Sequence, residues 1–135
     1  MRSMNKLTEE LNALLKGKKI TGIIGMQKDS EEITLQFEDG TTLMFFHNQD
    51  CCEVVEVAQV DGIVDRHIGT TFTELRVKVD GRRGDFNRDE SETWTFYTLI
   101  TSKGYLDFRW IGSSNGYYSE KVDTLVDIPE PGETK

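Results

Sequence analysis

Cysteine is scarce in this sequence: the chain of 135 residues has two, and they are neighbours, Cys51 and Cys52. Adjacent cysteines can bond to each other only with a distorted peptide geometry, so we do not expect a vicinal disulfide. A neighbouring pair also does not indicate the stapled fold of a small secreted protein. We therefore expect two reduced thiols.

Long apolar segments are missing too. No run approaches the roughly 18 apolar residues that read as a membrane-spanning helix. The first residues of the chain also lack the apolar core of a signal peptide. These absences predict a cytoplasmic protein without a membrane partner.

Basic residues are outnumbered: 16 Lys and Arg face 24 Asp and Glu, which gives a formal net charge of -8. The densest basic cluster, Arg82, Arg83 and Arg88, is interleaved with acids within residues 80–92. Because a duplex phosphate backbone would be repelled, we expect no direct binding of nucleic-acid duplexes. The acids are scattered along the chain and form no dense stripe, which argues against a mimic of DNA.

The sequence does contain enough material for one domain. A chain of this length can bury a core without staples, and 36% of its residues are hydrophobic. We expect a single globular domain over residues 1–126. Residues 127–135, which include both prolines and several acids, are expected to form a flexible acidic tail.

The first residues have the spacing of a short amphipathic helix. Leu7, Leu11, Leu14 and Leu15 recur at helical intervals, and Gly17 is available to end the helix. We interpret the helix as a cover for one face of a sheet, with a dimer contact as the alternative.

The pattern then changes to that of strands. The predicted segments are residues 20–24, 33–37, 41–46, 54–60, 72–79, 93–101, 105–111 and 117–122. The first three should form an antiparallel meander, with a turn at Asp39-Gly40. Residues 61–70 are expected to be a loop with one helical turn, and residues 82–92 an exposed loop. A last hairpin is expected to turn at residues 113–116.

Together these patterns predict a mainly β fold of the α+β class. We expect one antiparallel sheet of about seven to eight strands with the N-terminal helix packed on it.

Residues 47–53 combine an imidazole, two thiols and two carboxylates at the end of a predicted strand. The combination could bind zinc or pair a thiol nucleophile with His47 as its base. A zinc site would lack a second cysteine motif, and the nearby Asp50 and Glu53 oppose a lowered thiol pKa. Ligand binding through His47 and a purely structural role, with one cysteine in the core, remain the other interpretations.

Aromatic residues and an arginine dominate residues 93–97 and 109–119. Aromatic faces can stack on a planar ligand, and arginine can hold a phosphate or carboxylate. Strand alternation places Arg109 on the face opposite Trp110. Arg109 could form an ion pair with Asp107 or Asp123, or it could point into a pocket as an anion holder.

Backbone amides and hydroxyls in the turn at residues 112–116 could form an anion nest, although the same residues also suit an ordinary hairpin. The candidate ligand-binding residues are therefore Trp94, Phe96, Tyr97, Arg109, Ser114, Asn115, Gly116, Tyr117, Arg82, Arg83, Arg88 and His47. We assign no catalytic residue, metal ligand or cofactor.

Three ordered motifs also carry a resemblance: HNQDCCEV at residues 47–54, TWTFY at 93–97 and RWIGSSNGYYS at 109–119. They resemble those of a small protein family found in bacteriophages and prophages and described as a domain of unknown function. The resemblance covers most of residues 20–124 and carries over no catalytic residue. It implies a phage accessory protein made in the host cytoplasm, and such proteins often oppose host defence.

The resemblance and the binding chemistry suggest a first hypothesis. The protein would sequester a nucleotide-derived immune signal, of the cyclic nucleotide or cyclic ADP-ribose type used by systems such as Thoeris and CBASS. It would act without turnover, as a homo-oligomer with pockets between protomers. The alternatives are an enzyme that degrades the signal through His47 and a cysteine, and a protein that inhibits a host defence effector by direct binding.

Overall fold

The computed structural model describes residues 2–4, 8–83, 91–115 and 118–129, with residues 2–4, 82 and 83 described by their backbone alone. Within these ranges the chain forms nine strands in two sheets, one α-helix and a short 3-10 helix. The elements are β1 (Arg2–Met4), α1 (Thr8–Leu15), β2 (Ile20–Ile24), β3 (Glu32–Phe37), β4 (Thr42–Phe46), β5 (Val54–Asp61), the 3-10 helix (Val64–His67), β6 (Phe72–Arg83), β7 (Ser91–Thr101), β8 (Gly104–Ser114) and β9 (Asp123–Asp127).

The first sheet has the strand order β1-β9-β4-β3-β2, and all of its pairs are antiparallel. The predicted meander of β2, β3 and β4 is confirmed, and so is the helical turn between β5 and β6. Gly40 adopts a φ of 91° in the β3–β4 turn, a conformation that glycine reaches without steric cost.

The second sheet has the order β5-β8-β7-β6 and is also antiparallel. The predicted strand over residues 72–79 is too short, because Gly81, Arg82 and Arg83 still pair with residues 91–93 of β7. The expected loop over residues 82–92 is therefore shorter than predicted. Residues 84–90 lie outside the described part of the chain.

The predicted single sheet is wrong, although the mainly β class with one helix fits. The expected last hairpin would have paired residues 117–122 with β8. Instead, residues 118–122 form no strand, and the chain crosses to the first sheet, where β9 pairs with β4 and β1. The expected tail remains a prediction, since β9 includes Asp127 and residues 130–135 are not described.

The two sheets share one hydrophobic core. Phe45 of the first sheet contacts Tyr97 and Phe108 of the second edge to face, with ring centroids 4.9 and 5.4 Å apart. Trp110 is fully buried in this core. Such aromatic contacts favour close packing of the two layers.

Helix α1 forms as predicted, and it closes the core beside the edge of β6. Leu11 and Leu15 are buried, and Gly17 follows the helix with a φ of 88°. Leu7 lies outside the described residues. No helix in the described ranges has the length and apolar character needed to cross a membrane.

Candidate functional site

The outer face of the second sheet brings together two of the predicted aromatics and the predicted arginine. Trp94 and Phe96 lie two residues apart on β7, and Arg109 on β8 is paired with Phe96. Alternation along each strand turns these three side chains away from the core, and each remains half-buried. We call Trp94, Phe96 and Arg109 the aromatic face.

The rings of the aromatic face are nearly parallel. The centroids of Trp94 and Phe96 are 6.3 Å apart, with an angle of 21° between the ring planes. The guanidinium carbon of Arg109 lies 5.4 Å from the centroid of the Trp94 ring, within the range of a cation–π contact. The Trp94 Nε1 donates a hydrogen bond of 3.0 Å to Glu92, which fixes the orientation of the indole.

Arg109 is held by an amide, and the two ion pairs considered from the sequence are wrong. Its Nη2 donates to Oε1 of Gln59, whereas Asp107 accepts a hydrogen bond from Thr98. Asp123 accepts from the backbone of Asn48. The physical reason is a bulge in β5 between Val57 and Gln59, which places Gln59 directly opposite Arg109.

A cleft of about 450 Å³ borders Phe96 and Arg109. Its outward-facing lining includes Arg76, Lys78, Thr98, Asp107 and Asp61. This volume lies within the range of about 300 to 1,000 Å³ that small-molecule sites occupy. Arg109 lines this cleft, and its Nε is buried and has no hydrogen-bond partner among the described residues.

Tyr97 does not lie on the aromatic face, so the structure does not bring its ring together with Trp94 and Phe96. It lies between Phe96 and Thr98 in sequence, and strand alternation therefore turns it into the core. There it stacks on Phe108 with 5.2 Å between centroids. Burial raises the pKa of the Tyr97 hydroxyl, and the charge of Asp123 raises it further.

Ser114, at the end of β8, is likewise not on the aromatic face. Strand alternation places Ser114 on the same side of β8 as Gly112 and Trp110, which is the core side. Its hydroxyl donates a hydrogen bond to Glu120. Glu120 also accepts a hydrogen bond of 2.7 Å from Thr93. Asn115 is exposed beyond the end of β8, and Gly116 and Tyr117 lie outside the described residues. The predicted anion nest stays a prediction.

The three arginines of the predicted loop have different places. Arg82 and Arg83 lie in β6, opposite Glu92 and Ser91. Their side chains are not described, and Arg88 lies outside the described residues.

His47 belongs to a separate hydrogen-bonded cluster that links the end of β4 to the start of β5. Its Nε2 lies 2.6 Å from Oε2 of Glu53, and its Nδ1 lies 2.7 Å from the backbone oxygen of Lys121. A carbonyl and a carboxylate both accept hydrogen bonds, so the imidazolium form makes both bonds at once. Both ring nitrogens of His47 are therefore engaged within the protein, and its side chain is 4% exposed.

Glu53 is the centre of that cluster. Its carboxylate accepts hydrogen bonds from the backbone N–H groups of Asp50 (2.7 Å) and Cys51 (2.9 Å) in addition to its contact with His47. Burial alone would raise the pKa of Glu53, but the hydrogen bonds outweigh burial and lower the pKa to about 2.

The two cysteines lie in the turn that Glu53 organises. They are joined by a vicinal disulfide in the structure, so the expectation of two reduced thiols is wrong. Both are exposed, and neither packs in the core as the structural interpretation required. The backbone N–H groups of Asp50 and Cys51 donate to the Glu53 carboxylate within this turn. No cluster of three or more potential metal ligands occurs among the described residues.

The roles of three polar residues of the site and its surroundings were not predicted from the sequence. Gln59 was missed because the bulge in β5 breaks the simple alternation of the strand. Glu53 and Glu120 were missed because the sequence carries no sign that an acid will be buried among donors from distant segments. For Glu53, the nearest signal is its place directly before a strand and after a polar turn.

The fold and the aromatic face define a class: a two-sheet, antiparallel β protein with a cleft and stacked rings on the outer face of one sheet. The family described as a domain of unknown function, DUF7448, matches residues 13–124, so the chain belongs to this family. No curated protein and no solved structure gave a match. The expected membership of an uncharacterised family is therefore confirmed.

Proposed function

We propose that this protein binds a nucleotide-derived ligand at the aromatic face and does so without turnover. The observation that carries the proposal is the arrangement of Trp94, Phe96 and Arg109 beside an open cleft. A planar base can add to the two parallel rings, and the guanidinium can hold an anionic oxygen next to them.

The energy of such a contact is of the right size for binding. Stacking of a base on an aromatic side chain contributes about 1 to 3 kcal/mol in single-strand complexes. A Kd of 1 μM corresponds to about 8 kcal/mol, so stacking supplies part of such an affinity and the guanidinium adds to it.

The charges around the cleft restrict the ligand. Arg109, Lys78 and Arg76 supply positive charge, whereas Asp61 and Asp107 lie on the same cleft. This mixture suits a ligand with one or two phosphates better than a long polyanion, because each further phosphate would approach the carboxylates. A small cyclic nucleotide or a cyclic ADP-ribose isomer satisfies this restriction.

For the biological role, we propose that the protein is phage-encoded, acts in the host cytoplasm as a homo-oligomer, and sequesters an immune signal of this type. Two things support the role: the resemblance of three motifs to a family found in phages, and a face suited to a base. Sequestration needs tight binding and no chemistry on the ligand.

Calorimetry against cyclic dinucleotides, cyclic trinucleotides and cyclic ADP-ribose isomers tests the proposal. We expect saturable heat with at least one compound, and its loss in Trp94→Ala. Tyr105→Ala is the matched control, because Tyr105 is a highly exposed aromatic on the same face of β8 but outside the aromatic face. The absence of heat across the whole panel would contradict the proposal.

Recovery of the ligand separates a binder from an enzyme. After heat denaturation of the complex, chromatography should return the bound compound intact. The alternative enzyme would use His47 with Cys51 or Cys52, and a changed compound that depends on these residues would support it. The geometry favours the binder, because both nitrogens of His47 are already engaged.

A further inference from the structure

Parts of both outer edges of the second sheet are covered by other segments of the chain. At the outer edge of β5, the N–H of Asp29 donates to the oxygen of Val57, and the N–H of Val57 donates to the oxygen of Ser30, each at 2.8 Å. At the outer edge of β6, Phe72 exchanges hydrogen bonds of 2.9 and 2.8 Å with Gly17 and Lys18. Such covers protect a fold against pairing with other strands.

Asn12 of helix α1 covers the next outward position of β6. Its side-chain amide donates to the oxygen of Leu75 (3.0 Å), and its side-chain oxygen accepts from the N–H of Leu75 (2.8 Å). The backbone groups of Leu75 therefore point away from β7. The register from Glu74 to Arg83 is unbroken, so Val77, Val79 and Gly81 point outward in the same way.

The edge of β6 beyond Leu75 is different from the covered edges. Within the described part of the chain, no hydrogen bond reaches the outward backbone groups of Val77, Val79 or Gly81. The side chains of Val77 and Val79 are 38% and 62% exposed. A long free edge with exposed valines is a template for pairing with another strand.

We infer that this edge pairs with the same edge of a second copy of the chain, with β6 of the two copies antiparallel and Val79 on the two-fold axis. The centre of pairing follows from the limits of the edge. Asn12 blocks Leu75 and the strand ends at Arg83, and Val79 is the midpoint of these two positions. Val77 then lies opposite the partner's Gly81, and Val79 opposite the partner's Val79.

Charge complementarity identifies the occupant as a second copy. In this register Lys78 lies opposite the partner's Asp80, and the symmetry of the pair repeats the contact. Opposite charges directly across an antiparallel pair stabilise it by about 0.2 to 1 kcal/mol each. In the same register Arg76 lies opposite the partner's Arg82. On the other face of the paired strands, Val77 and Val79 of each copy cover those of the other.

The inference is independent of the ligand and is tested by charge exchange. Lys78→Asp places two pairs of negative charges opposite each other across the axis, and Asp80→Lys places two pairs of positive charges there. Sedimentation velocity should show a dimer for the native protein, a weaker dimer or a monomer for each single variant, and a dimer for the double variant Lys78→Asp, Asp80→Lys. A mixture of the two single variants should form a mixed dimer, because each variant then meets the opposite charge.

A backbone variant keeps the test independent of charge. Val79→Pro removes an N–H that points outward and leaves the hydrogen bonds to β7 in place, so it should give a folded monomer. Val79→Thr, which keeps both the N–H and the preference for a strand, should remain dimeric. A native protein that is monomeric up to about 200 μM would overturn the inference, as would a dimer unaffected by both Val79→Pro and the charge exchange.

Discussion

Asn12 takes the place of a neighbouring strand at Leu75. Its side-chain amide makes both hydrogen bonds that a paired strand would make to the Leu75 backbone, at 3.0 and 2.8 Å. The helix thereby fixes its own position on β6, while Leu11 and Leu15 on its buried side fill the core. One polar side chain therefore joins two layers of the fold.

We predict that Asn12→Ala lowers the free energy of unfolding by about 1 to 3 kcal/mol, because it leaves a partly buried donor and acceptor unpaired. Denaturant unfolding followed by circular dichroism measures the change. Glu10→Ala, on the exposed side of the same helix, is the control and should change stability by less than about 0.5 kcal/mol. Equal effects of the two substitutions would show that the contact with Leu75 contributes nothing.

We predict a loss of stability in acid that depends on Glu53. Its pKa is lowered to about 2 in the folded protein, from 4.5 in an ordinary glutamate. A lowered carboxylate pKa stabilises the fold above the unfolded value and loses that contribution as the pH falls through the folded value. The free energy of unfolding should therefore decrease between about pH 5 and pH 2, the interval that the two pKa values set.

The variant Glu53→Gln separates this carboxylate from the others. It should be less stable than the native protein at pH 7 and should lose less stability between pH 5 and pH 2. Asp39→Asn is a useful comparison, because the pKa of Asp39 is also about 2. Burial raises this pKa, but the contacts with Lys18 and Thr41 lower it by more. Identical acid profiles for Glu53→Gln and the native protein would contradict the role given to Glu53.

We predict that Gly112→Ala is destabilising. A Cβ at this position would lie 2.7 Å from both the Cβ and the backbone oxygen of Glu120, closer than side chains tolerate. The cost should be about 1 to 3 kcal/mol, as for other overpacked sites. Gly81→Ala is the control in a strand of the same sheet, since its nearest neighbour would be Thr93 at an ordinary 3.7 Å. Thermal unfolding of both variants measures these changes in stability, and equal changes in the two would contradict the prediction.

Local patterns predicted most elements of the fold correctly. The meander of β2 to β4, helix α1 and the helical turn after β5 follow from alternation, leucine spacing and turn residues. The sheet order could not be predicted in this way, because the pairing of β9 with β4 depends on contacts between residues far apart in sequence. The Asn115-Gly116 dipeptide after β8 favours a hairpin turn. In the structure, however, β9 pairs with β4 of the other sheet.

For the candidate site too, local patterns predicted some features and contacts between distant residues decided others. Alternation placed Arg109 and Trp110 on opposite faces correctly, and it also separates Trp94 and Phe96 from Tyr97, which the prediction had grouped together. The contact of Arg109 with Gln59 was beyond local reasoning, because it depends on a bulge in a strand that is paired across about 50 residues of sequence.

The most direct test of the central claim is a fluorescence titration of Trp94. The chain has two tryptophans, and Trp110 is fully buried, so added ligand can reach the indole of Trp94 alone. With a cyclic nucleotide or cyclic ADP-ribose isomer that gives heat in calorimetry, we predict saturable quenching in the native protein. Arg109→Ala should raise the Kd obtained from this titration by about 5-fold to 150-fold, which is equivalent to about 1 to 3 kcal/mol. Unchanged Trp94 emission on binding, or equal affinity in Arg109→Ala, would show that the ligand does not occupy the aromatic face.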